Sequence, residues 1–283
     1  MNQPDRTRLA LSLGVAGVLG LILLVAVLRP QQGDEVTAAP VEPLEVPAEV
    51  VAAPEPPPPP SLRRGDLIAA AAQASAAYAA GQPYADTNKA LVGRRFEVTI
   101  PFGCGGPSSA PTSDPARWNF DLAQRTLTLS AQPQAWTNAP WVREIVGDGD
   151  FEAIDGFWIP RPWLASEACP APRTPPPGSP APAVSQPSLG LVRTFADGGS
   201  RVGQRGARPY EVVRRAEDEE LTTSAREFRL VLSGRVSGFP SGEALRCHSP
   251  SIDQRPTCLA GVEIDRVAFV EPNSGDVLAE WNS

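Results

Sequence analysis

From residue 95 the chain alternates with a period of two. Phe96, Val98, Ile100 and Phe102 point one way, and Arg95, Glu97 and Thr99 point the other. That pattern predicts a strand with one buried face. Phe228, Leu230, Leu232 and Val236 repeat it. In Val262–Val270 the phase slips: Val262 and Ile264 agree, then Val267 and Phe269 fall on the opposite parity. One extra residue near Asp265, a β-bulge, restores a common face. Trp118–Phe120 and Leu127–Leu129 read as hairpin arms around 121–124. Phe151–Ile159, Leu189–Phe195, Tyr210–Arg215 and Val277–Trp281 are further strand candidates, the last after a turn at Asn273–Asp276. Asp66–Ala80 carries a helical signature, with Asp66 as N-cap, Gly81 as stop, and Leu67, Ala71, Ala74 and Tyr78 on one face. The expected class is mainly β: a short Ala-rich helix and a sandwich or barrel-like region.

Ahead of this region lies a different pattern. Leu9–Leu28 is apolar or neutral throughout, long enough as a helix to cross a hydrocarbon core of about 30 Å. It exceeds the apolar core of a signal peptide, Arg29-Pro30 follows it, and the nearest small-residue cleavage option, Val36–Ala39, lies well downstream. It reads as an uncleaved, single-pass anchor. Arg6 and Arg8 precede it and an acidic stretch follows, which places the N-terminus in the cytoplasm and the remainder in the periplasm. The expected location is the inner membrane. Ala10/Gly14 and Ala16/Gly20 have the small-xxx-small spacing through which two such helices dimerise.

The chain divides by composition into residues 1–29 (N-terminus and anchor), 30–60 (linker), 61–169 (β-rich, with the helix), 170–188 (a Pro-rich loop or linker) and 189–283 (β-rich). The 30–60 segment has ten prolines, six acids and no base. It has no aromatic residue with which to build a core. Extended as polyproline II, it would reach on the order of 100 Å. The anchor-plus-spacer plan resembles that of TonB-type energy transducers. The resemblance covers only those two segments. A TonB-type anchor carries a functional His, this one has none, and no TonB-like C-terminal domain is evident, so the function does not carry over.

Net charge is −7. Residues 61–283 hold 22 basic and 25 acidic side chains, without a basic stripe to track a phosphate backbone, so nucleic acid is not an expected partner. The four cysteines, Cys104, Cys169, Cys247 and Cys258, form no CxxC pair. In an exported protein they are expected in disulfides, most simply Cys104–Cys169 and Cys247–Cys258.

Motifs for chemistry are sparse. His248 is the only histidine. It adjoins Cys247, and strand neighbours point to opposite faces, so it is expected as a solvent-exposed residue beside a disulfide. Counted from Asp148 in the acid-rich stretch Gly147–Gly156, Ala153 and, beyond the stretch, Ile159 fall where a calcium loop needs glycine and an acid. It reads as a polar turn before a strand. Gly238–Gly242 reads GFPSG, not Gly-x-Ser-x-Gly. Lys89, the one lysine, belongs to neither a Ser-x-x-Lys nor a phosphate-binding loop. No catalytic residue, cofactor site or metal site is expected. Arg64-Gly65-Asp66 is read as a chance tripeptide at the helix start. Trp136, Trp141, Trp158 and Trp163 fall close together among prolines. They are either core or a binding surface.

The sequence therefore points to a membrane-anchored envelope protein, a non-enzymatic binding or scaffold module with an envelope protein partner. The alternatives are a peptidoglycan- or glycan-binding module using the Trp cluster, and a hydrolase with an unrecognised carboxylate pair.

Overall fold

The computed structural model describes residues 58–108, 114–171, 187–206, 208–216 and 227–283. The expected anchor Leu9–Leu28, its small-residue pairs, nearly all of the 30–60 linker and the body of the 170–188 stretch lie outside these residues. Among the described residues no helix is long and apolar enough to cross a membrane. Pro57–Ser283 forms one compact unit, mainly β, with two sheets and few helices.

The larger sheet is built around one strand. β1 (Arg95–Phe102) pairs antiparallel with β8 (Phe228–Val236), placing Phe102 opposite Phe228, Ile100 opposite Leu230 and Val98 opposite Leu232. β8 pairs in turn with the 14-residue β10 (Thr257–Val270), with Leu230 opposite Phe269 and Leu232 opposite Val267. The expected bulge is present. Ile264 faces Gly234 and Arg266 faces Ser233, so Asp265 is the extra residue. The slip lets Val262, Ile264, Val267 and Phe269 enter the same core. A Cβ on Gly234 would lie 1.9 Å from the carbonyl oxygen of Glu263, so the bulge requires glycine there.

The N-terminal part of β10 serves other neighbours. It runs parallel to β6 (Leu189–Ala196) on one edge and antiparallel to β9 (Leu245–His248) on the other. β6 continues to β5 (Phe151–Trp158), and β5 to the two-residue β4 (Gln134–Ala135). β11 (Val277–Asn282) pairs with the C-terminal part of β10. Strands from both sides of the 170–188 stretch thus share this sheet. The smaller sheet, β2 (Ala116–Asp121), β3 (Thr126–Ala131) and β7 (Tyr210–Arg215), lies across the core. Its Trp118 meets Phe228 edge-on at 5.7 Å, and its Tyr210 meets Phe157 at 6.1 Å. The arrangement is consistent with a β-sandwich.

Helix α1 (Arg64–Ala79) begins three residues before the start expected from Asp66 as N-cap. Arg63 is the N-cap, and Asp66 sits one turn in, accepting a 2.7 Å bond from the Arg63 amide. A carboxylate at the third helical position that accepts from the N-cap amide explains why Asp66 reads as a start signal. α1 buries Arg64, Leu67, Ala71 and Ala74, whereas Tyr78 stays partly exposed. The short α2 (Asp86–Lys89) is tied down by Asn88. Its side chain donates to the Leu245 carbonyl at 2.8 Å and accepts from the amides of Ala244 and Leu245. The Tyr84 hydroxyl accepts from the Cys247 amide at 3.0 Å and so caps the edge of β9. Burial pushes the Tyr84 phenol up, which keeps it protonated.

A second, smaller core lies on the far face of the larger sheet. α3 (Pro140–Val146) covers it, setting Val142, Ile145 and Val146 against Ile154, Val192, Phe239 and Leu259. Proline at the helix start fits its fixed φ.

The disulfides are Cys104–Cys169 and Cys247–Cys258, the second joining direct cross-strand partners of β9 and β10. Alkylating the unreduced, exported protein should add no label by intact mass. Two or four added labels would sink this pairing.

Candidate functional site

Three short segments meet around the start of β10 and leave a groove between them. α3 brings Pro140 and Trp141, the end of β5 brings Trp158, and β9 brings His248. The loop between β9 and β10 contributes Pro250, Gln254 and Arg255, and the main hollow is about 530 Å³. A second hollow of about 320 Å³ adjoins it, lined by Pro162 and Trp163 from the turn after β5. Pro187, Gln254, Arg255 and Thr257 line both, so they form one continuous groove with aromatic rings at each end.

Aromatic rings run from the rim into the core. His248 lies 6.1 Å from Trp141, and Trp141 stacks on Trp158 with centroids 6.2 Å apart and planes within 10°. Trp158 then meets Trp136 edge-on at 4.9 Å. Trp136 is only 5% exposed and belongs to the smaller core. It supports Trp158 from beneath and does not line the groove. Space for its ring comes from Gly156, where a Cβ would approach it to 2.6 Å. Trp163, 61% exposed, lines the adjoining hollow. Of the four clustered tryptophans, Trp141, Trp158 and Trp163 therefore line the groove.

His248 differs from the sequence expectation. Its side chain is 23% exposed, its Nδ1 lies 3.3 Å from Glu144, and Trp141 covers it. Alternation on β9 sends Cys247 inward and His248 to the groove, and α3, not foreseen from the sequence, closes over it. A signal for α3 was present: Pro140 followed by apolar residues at 142, 145 and 146, a helical spacing.

Both walls are braced. Cys247–Cys258 closes the base of the 249–256 loop, and the Ser249 hydroxyl lies within reach of the carbonyl oxygens of Ser251 and Gln254. Ser188 accepts from the Cys258 amide at 3.0 Å, which fixes the groove floor to β10. On the Trp163 side, the Leu164 amide donates to the Arg161 carbonyl and makes a tight turn. Arg64 holds that turn from α1. Its guanidinium donates to the carbonyls of Leu164 at 3.0 Å, Pro160 at 2.5 Å and Arg161 at 3.1 Å. Burial, and the Arg161 charge nearby, push the Arg64 guanidinium down to about 10, so it remains a cation at neutral pH. Arg64 has no exposed surface, so the Arg-Gly-Asp tripeptide cannot be presented from this fold. Cys104–Cys169 tethers the end of the same segment.

The acid-rich stretch does not converge. Glu152 pairs with Arg201, whose bond holds the carboxyl below its ordinary value. Asp155 points elsewhere, opposite Arg193 in the β5–β6 register and against the amides of Arg205 and Gly206. Among the described residues no group of three or more His, Cys, Asp or Glu is placed to hold a metal ion. Comparison with family models, curated proteins and solved structures finds no match to this chain.

Two outcomes follow from these contacts. Arg64→Met should leave three carbonyls without their donor and lower the unfolding free energy by about 3 kcal/mol, read from urea melts. Burial outweighs Arg193 and raises the Asp155 carboxyl above 3.8. A raised folded value favours the fold while the group is protonated, and that contribution is lost as pH rises through the folded value. Asp155→Asn should therefore be more stable than the parent at about pH 7, with the gain vanishing by about pH 3. Urea midpoints across that range provide the check.

Proposed function

We propose that this is a single-pass envelope protein whose β domain is a periplasmic binding module, with a glycan of the cell wall as ligand of the tryptophan groove. The apolar Leu9–Leu28 run and the bases before it support the anchor and its orientation. Two disulfides fit an oxidising compartment. The acidic, Pro-rich spacer gives the domain reach from the bilayer toward the wall.

The observation that carries the ligand class is one groove lined by the near-parallel rings of Trp141 and Trp158 at one end and by exposed Trp163 at the other, with Gln254, Arg255 and Thr257 between. Ligand sites commonly have this mixture of apolar lining and few oriented polar side chains. Flat aromatic surfaces suit the C–H faces of pyranose rings, and an open groove suits a chain. The bracing on both sides reduces the ordering that binding would require.

Full-length protein in mild detergent should co-sediment with purified peptidoglycan sacculi. Trp163→Ala, which removes an exposed ring, and Trp158→Ala should each weaken binding about tenfold. Sedimentation of both variants at parental levels would remove the groove from the interaction. Crosslinking from position 163 to a protein in place of glycan would turn the site to the envelope-scaffold reading.

A further inference from the structure

We propose that the groove selects a carboxylate-bearing sugar, and that Arg255 recognises the carboxylate. This rests on the glycan reading above and adds the charge class of the ligand.

Arg255 lines both hollows, so it stands between the Trp141–Trp158 end and the Trp163 end. The arginines around it are engaged. Arg143 donates to the Thr137 carbonyl, Arg246 to the Ile145 carbonyl and Arg161 to the Pro101 carbonyl. The exposed Arg255 guanidinium has no hydrogen bond or ion pair among the described residues. Its backbone, in contrast, is held. Pro256 behind it is buried against α1 beside Ile68 and Ala71, and Thr257 starts β10, its hydroxyl donating to the Pro187 carbonyl at 3.3 Å. A residue before proline is restricted to extended backbone. The Cys247–Cys258 bridge limits the rest of the loop.

A fork of N–H donors is thereby set in an aromatic groove, on a chain whose net charge is −7. A guanidinium takes a carboxylate through two parallel bonds, which fixes orientation as well as charge. Gln254 beside it offers an amide that can donate and accept, matching a neighbouring hydroxyl or N-acetyl group. At the far end the basic lining side chain, His248, is already engaged by Glu144 at 3.3 Å. The groove is thus polarised, with its anion site at the Arg255 junction. Sugars that carry such a group include an amino sugar with a lactyl ether and a uronic acid.

Full-length protein in mild detergent would be titrated against amidase-stripped sacculi bearing free lactyl carboxylates, polygalacturonate, and neutral chitin. One or both acidic polymers should bind about tenfold more tightly than chitin, with a preference that shrinks as salt is added. Arg255→Gln should reduce the acidic-to-neutral ratio to about one, and Arg255→Lys should recover it only in part. Preference for stripped sacculi assigns the lactyl group, and preference for polygalacturonate assigns the uronate. Equal binding of acidic and neutral polymers, or an unchanged ratio in Arg255→Gln, would overturn the carboxylate assignment alone. Failure to bind any of the three would overturn the glycan reading with it.

Discussion

The architecture depends on β10 being hydrogen-bonded along both edges. Its first part lies between β6 and β9, and its second between β11 and β8. A strand so placed must present apolar side chains to different partners along its length. The extra residue at Asp265 achieves this by changing parity once, so that Val262 and Phe269 share a core. Leu259, on the opposite face, joins the smaller core beneath α3. Changes at the start of β10 therefore bear on the fold and the groove together.

The groove itself is shaped by cross-links more than by regular structure. Its lining comes from a two-turn helix, a tight turn and a hairpin loop, none of which would hold its shape alone. One disulfide braces each wall, and buried Arg64 adds a third restraint from α1. Trp136 contributes from below by keeping Trp158 edge-on at its side. The result is a set of aromatic surfaces held in place by the fold itself.

Much of the sheet was legible in the sequence because alternation reports burial on one face. β7 and β8 match the expected limits, and the bulge was visible as a change of parity. β10 extends five residues further toward the N-terminus than expected. There both faces are buried, so Cys258 to Gly261 show no alternation. β9 and α3 are only weakly marked in the sequence because each is short and takes its stability from neighbours. The groove was legible only in part. Clustered tryptophans marked the region, but sequence spacing could not separate buried Trp136 from exposed Trp163. Arg255 and His248 carried no local signature, since long-range packing brings them beside Trp141.

Arg64 grips the Trp163 turn solely through main-chain oxygens. Every residue type supplies a carbonyl there, so the backbone course of the turn is independent of the side chain it displays. Position 163 is in effect a socket: its occupant can change over evolutionary time while the mount stays intact. Single codon changes there alter the chemistry of this end of the groove without first requiring compensating mutations in the core.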